Sequence, residues 1–245
     1  MNNRVSSGVL DWLLEEKNPA VRYRTLTELL DRPRSDPEAR EARGMIPESR
    51  WAKRIFSKMH PDGYWLHRGK GEGVDYAMSS STHFVLAFLM ELGFDREAPR
   101  VARAVERYLN LAPTEETDLQ PWQVPPDYGN HQSCLYAYNL RTFVRLGYGD
   151  DDRLKTRVQV LLKDVRHDGG YLCERPSFNS QTKSCIRGSI KALMAYAELL
   201  ELWDTPQCHQ LVDYFLRRRV YYRTDRPDDV IRGEHQSRGV RAKVR

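Results

Sequence analysis

The stretch Leu146–Cys185, LGYGDDDRLKTRVQVLLKDVRHDGGYLCERPSFNSQTKSC, holds one whole structural repeat. It reads as the end of one helix, an acidic turn, a second amphipathic helix, an Asp-Gly-Gly-Tyr turn and the approach to a third helix. Asp150–Asp152 stand where the second of these helices begins, and acidic side chains there suit the positive end of its dipole. They are expected to be caps rather than metal ligands.

Outward from this stretch, its parts recur. With Ser80, Cys134 and Cys185 set in register, Leu92-Gly93-Phe94 falls on Leu146-Gly147-Tyr148, and Trp65, Trp122 and Tyr171 each precede a helix start. The period is about fifty residues, the length of a helical hairpin with its loop, and such periods mark stacked helical arrays. Apolar helices open at Ser79-Ser80, Ser133-Cys134 and Ser184-Cys185, and the helices that follow them are more polar. Short connections between consecutive helices make antiparallel neighbours the expected packing.

Three segments follow along the chain. Residues 1–60 read as an N-terminal helical portion: Gly8–Glu16 is amphipathic, Asn18-Pro19 opens a helix to about Leu30, and Pro33 and Asp36-Pro37 stop and restart it. Residues 61–220 carry the hairpin repeats, with Thr205-Pro206 as a cap and first-position pair for the last helix. Residues 221–245 form a polar, basic tail where another hairpin would belong, so a fragment or an open array is expected. The final apolar face would then be uncovered and would pair with a second copy, giving a homodimer. A monodisperse monomer in light scattering at high concentration would count against that. The proline-rich segment Leu111–Asn130 reads as a cap over a cavity, and Arg217–Arg219 as a solvated helix face.

Composition narrows the function classes. The formal net charge is +5 and the pI about 9.0, but both signs are interspersed and no dense basic block appears, so nucleic acid is not an expected partner. No apolar run reaches the length of a membrane span. The opening residues lack the apolar core of a secretory signal. Four irregularly spaced cysteines suggest free thiols and a cytoplasmic setting rather than a disulfide framework. The Gly69, Gly71 and Gly73 loop lacks the Lys-Ser/Thr of a phosphate-binding loop.

Lys163–Tyr171, with its Asp-Gly-Gly-Tyr turn, and His60-Pro61-Asp62-Gly63-Tyr64-Trp65 resemble degenerate QW-type repeats of the terpenoid cyclase and protein prenyltransferase superfamily. The alternation of apolar and polar helices resembles bacterial squalene-cyclase-like proteins over most of Trp12–Arg219. The resemblance implies an all-α fold, an α/α toroid-like array of helical hairpins forming an incomplete ring or horseshoe. Its apolar inner helices would ring a cavity suited to a lipophilic or prenyl-type molecule. The Asp-x-Asp-Asp acid motif and the Asp-Asp-x-x-Asp diphosphate motif are both absent, so squalene cyclase activity is not expected.

In register, Cys134 and Cys185 open neighbouring inner helices and Cys173 precedes the second of them. Helix N-termini favour thiolate, and three thiolates with His131 or His83 as the fourth ligand would suit zinc. Buried structural thiols and a reactive thiol remain open beside that. Trp65, His83 and Tyr138 are candidates for the cavity wall, and Arg187 for an anionic head group at a helix N-terminus. A zinc-assisted enzyme, a non-catalytic lipophile binder and an interaction scaffold all stand at this point, because function sits in the site rather than the scaffold.

Overall fold

The computed structural model describes residues 7–65, 81–110, 133–172, 183–223 and 228, and no strand occurs among them. The fold is all-α. Its helices are α1 (Ser7–Leu13), α2 (Pro19–Arg24), α3 (Pro37–Met45), α4 (Arg50–Phe56), α5 (Thr82–Leu92), α6 (Pro99–Asn110), α7 (Ser133–Phe143), α8 (Asp152–Lys163), α9 (Ile186–Tyr196) and α10 (Pro206–Leu216). The chain divides into two compact units, Met1–Asp127 with Asn139–Arg157, and Tyr128–Tyr138 with Val158–Arg245. No helix among the described residues is long and apolar enough to cross a membrane.

Local chemistry sets the helix starts. Pro19, Pro37 and Pro206 sit in the first turn of their helices, where a missing N–H costs nothing. The Asp36 carboxylate accepts from the N–H groups of Glu38 and Ala39, and the Thr205 hydroxyl accepts from Cys208 N–H. Asp151 accepts from Arg153 N–H at 2.9 Å and Asp152 lies in the first turn of α8, so this acidic turn caps a helix as expected.

α2 departs from the expected single helix to Leu30. Beyond Arg24 it widens into a π turn over Thr25–Leu29, closed by Leu30 N–H on Thr25 O at 3.0 Å. The Thr25 and Thr27 hydroxyls donate back to the carbonyls of Val21 and Tyr23, both at 2.9 Å. Such back-bonding competes with the helical ladder and bends it.

The repeat register is visible in the backbone. Gly93 and Gly147 end the helical segments before them in the left-handed region, at φ 98° and 95°, a conformation that costs a residue with a Cβ about 1–2 kcal/mol. Ser81, one residue after the Ser80 register position, is the N-cap of α5, and Cys185 is the N-cap of α9.

In the first unit the core gathers Leu26, Ile46, Leu86, Leu89 and Val105, and Tyr108 packs on Phe143 with ring centroids 5.7 Å apart. In the second unit Leu161, Tyr171, Ala192, Tyr196, Leu211 and Tyr214 are buried. α6 buries Val101, Ala104, Val105 and Tyr108 and presents charged residues outward, as an amphipathic helix does.

Candidate functional site

The Asp-Gly turns that carried the family resemblance form the best-defined constellation, and the same four contacts build both. In the first unit His60 N–H donates to Tyr64 O (2.7 Å) and Gly63 N–H to His60 O (2.9 Å). In the second unit Arg166 N–H donates to Gly170 O (2.9 Å) and Gly169 N–H to Arg166 O (2.8 Å). The aromatic that ends each turn then reaches ten residues back to a helix carbonyl: Trp65 Nε1–H to Ile55 O and Tyr171 O–H to Leu161 O, both at 2.9 Å. Its own N–H donates forward to a hydroxyl of the next apolar helix, Trp65 to Thr82 (3.1 Å) and Tyr171 to Ser189 (3.0 Å). Each aromatic therefore staples the helix before the turn to the helix after it. A buried carbonyl near a helix end needs such a donor.

The second turn carries a polar cluster with no counterpart among the described residues of the first. Asp168 accepts from the Ser184 hydroxyl, from Ser184 N–H at 3.1 Å and from Gly170 N–H at 3.4 Å, and lies 3.8 Å from the Arg218 guanidinium. Burial pushes the Asp168 carboxyl up, but the Ser184 hydroxyl, the two N–H groups and the Arg218 charge together hold it below the ordinary carboxylate value. Arg218 also donates to Tyr214 O at 3.0 Å and stacks 3.6 Å above the Tyr214 ring. Only 8% of Arg218 is exposed, so the expected solvated Arg217–Arg219 face fails at its central residue. Its buried charge is neutralised by Asp168 and the ring face.

This cluster is unsuited to proton transfer. Both Asp168 oxygens already accept hydrogen bonds, and a carboxyl held below its ordinary value is a poor base near neutrality. Tyr171 and Tyr196 share a hydroxyl–hydroxyl contact of 3.0 Å. Burial pushes the Tyr171 phenol far above its ordinary value, with the Tyr196 hydroxyl adding to it, and pushes Tyr196 up to about 12. Both phenols keep their protons and act as links between helices.

The remaining candidates separate. Trp65 and His83 belong to the first unit, both buried, with His83 at the second position of α5 and its ring 4.4 Å from Phe84. Tyr138, Cys185 and Arg187 belong to the second unit. The Lys191 ammonium lies 4.7 Å over the Tyr138 ring, and Arg187 is exposed in the first turn of α9. Cys185 is half-buried and its Sγ accepts from Gly188 N–H at 3.1 Å, which makes the thiol itself the helix cap. His131, Cys173 and the Cys134 side chain lie outside the described residues. Among the described residues no three His, Cys, Asp or Glu side chains gather as a metal site.

Sequence reasoning missed the Asp168–Ser184–Arg218 cluster. The available signal was a serine beside the Cys185 cap and an arginine run at the end of an amphipathic helix.

Fold and site together define an all-α protein in which two Asp-Gly turns are stapled to their flanking helices by aromatic side chains. The chain matches no protein-family profile, no curated protein and no solved structure.

Proposed function

We propose that this protein binds a lipophilic, prenyl-type molecule with an anionic head, on the α/α toroid-like framework that its repeats resemble, and that it does so without turning the molecule over. The observation that carries this is the uncovered face of the apolar helix α5. From Thr82 to Met90 this helix has no Asp, Glu, Lys or Arg, and Leu86, Leu89 and Met90 are buried; yet Phe84 is only half-buried and Phe88 is 47% exposed. A helix apolar all round belongs in an interior, so a second apolar surface should complete its burial. α9 repeats the pattern within its own unit, where Ile190 is 41% exposed and is flanked by Arg187 and Lys191. Within that unit, the two cations suit an anionic group held beside Ile190. Binding without turnover fits the polar candidates: Asp168 is held by its own turn and Cys185 caps its own helix.

The test is displacement of a fluorescent apolar probe by farnesyl phosphate, with Phe88→Glu beside the wild type. Phe88 is exposed, so the variant should fold. The expected result is displacement in the wild type and affinity reduced about tenfold or more in the variant, the scale of losing one buried aromatic side chain. A wild-type protein that neither takes up the probe nor releases it to farnesyl phosphate would remove the proposal.

One observation favours an interaction scaffold instead. Val212 and Leu216, one turn apart on α10, are exposed beside buried Leu211, Tyr214 and Phe215. A second copy could cover them, and the light-scattering measurement named above decides it.

A further inference from the structure

The first unit contains a cavity of about 290 Å³, between α2 with its π turn, the loop after it and the C-terminal end of α5. Its lining carries Tyr23, the four arginines Arg24, Arg32, Arg34 and Arg145, and the two acids Glu28 and Asp95; Arg32 is paired with Asp36 and Glu38 outside the lining. Both acids are already neutralised. Glu28 accepts from Arg24 and, on the same oxygen, from Arg145 at 3.0 Å, so two guanidiniums meet one carboxylate. Asp95 is paired with Arg43, which stands outside the lining. Arg24 is further committed to the carbonyls of Met90 (2.7 Å) and Glu91 (3.1 Å), which satisfies the electronegative end of α5.

Two donors remain uncommitted. Arg34 is exposed at the rim and makes no hydrogen bond or ion pair with the described residues. Tyr23 is only 6% exposed, and its hydroxyl has no hydrogen-bond partner among the described residues. Tyr23 lines the cavity and its hydroxyl can donate to a bound group, and a guanidinium is matched by a planar or tetrahedral oxyanion. A guanidinium without an ion pair among the described residues and an unpartnered phenol thus share one partly open space larger than a bare oxyanion needs.

We infer that this cavity binds a compact phosphate, as the free ion or as a small phosphate monoester, with Arg34 and the Tyr23 hydroxyl as donors. Binding is by charge-assisted hydrogen bonds and involves no covalent step.

The test is calorimetric titration of the full chain with inorganic phosphate and with ribose 5-phosphate, at ionic strength fixed with chloride. Arg34→Gln removes an exposed charge, and Tyr23→Phe keeps the ring that packs against Gly93 while deleting the hydroxyl. Arg54→Gln, which removes an exposed charge on α4 outside the cavity lining, serves as the control. Saturable binding is expected in the wild type and in Arg54→Gln. Each cavity variant should bind about tenfold more weakly, the scale of one charge-assisted hydrogen bond. Tighter binding of ribose 5-phosphate would assign a monoester, and equal or weaker binding the free ion. Absence of saturable binding in the wild type, or unchanged affinity in both cavity variants, would overturn the inference.

Discussion

Replacing Gly169 or Gly170 by alanine should unfold the second unit under conditions where the wild type is intact. Gly169 sits at φ +85°, and a Cβ there would lie 2.7 Å from the backbone oxygen of Gln210 on α10. Backbone cannot rotate away as a side-chain tip can. The left-handed conformation costs alanine about 1–2 kcal/mol and the overlap about 1–3 kcal/mol more, against a total stability of about 5–15 kcal/mol. At Gly170 the added carbon would meet Ser184 Cβ and Tyr214 Cε2, both at 2.6 Å, and Ser189 Oγ at 2.7 Å. These atoms belong to the cluster that closes the turn onto α9 and α10. Gly44 is the control: it lies inside α3, where an added Cβ would have nothing within 4 Å, so Gly44→Ala should stabilise by about 0.5–1 kcal/mol through helix propensity. Hydrogen exchange separates the outcomes by place. Protection should fall across α9 and α10 in the Gly169 and Gly170 variants, and should hold or rise across α3 in the Gly44 variant. Wild-type protection in α9 and α10 of both turn variants would mean that the turn does not hold those helices.

That asymmetry among glycines shows which parts of the molecule were legible in its sequence. Gly93 and Gly147 aligned in the repeat register because both do the same work, ending a helical segment at positive φ. Prolines at first-turn positions and the Thr205 cap were readable because they act on their nearest neighbours. The Asp-Gly-aromatic turns were readable as a repeat, but their purpose was not. The contacts that give Trp65 and Tyr171 their roles run to Ile55 and Leu161 on one side and to Thr82 and Ser189 on the other. Position along the chain does not show which carbonyl a buried N–H or O–H will reach. Arg218 was misread for the same reason. Its sequence neighbours are two exposed arginines, whereas its structural neighbours are a carboxylate and an aromatic ring face. The widening of α2 was hidden because a threonine hydroxyl that bonds back into a helix looks, in sequence, like any other threonine.

Asp168→Ala should cost about 2–4 kcal/mol at neutral pH, because it strands Ser184 N–H, the Ser184 hydroxyl and Gly170 N–H and leaves the buried Arg218 charge without its carboxylate. Asp168→Asn keeps one acceptor oxygen and should fall between alanine and wild type. Acid supplies a test that mere loss of packing would not pass. The folded-state carboxyl is held below its ordinary value, so its electrostatic contribution is fully present above the unfolded value of about 3.9 and disappears as pH falls through the lower, folded value. Denaturant midpoints of wild type and Asp168→Asn should therefore lie well apart at neutral pH and converge progressively in acid below about pH 4. A gap that stays constant across that range would assign the loss to shape alone. In that case the ionised carboxylate beside Arg218 would not be what ties the second turn to α10.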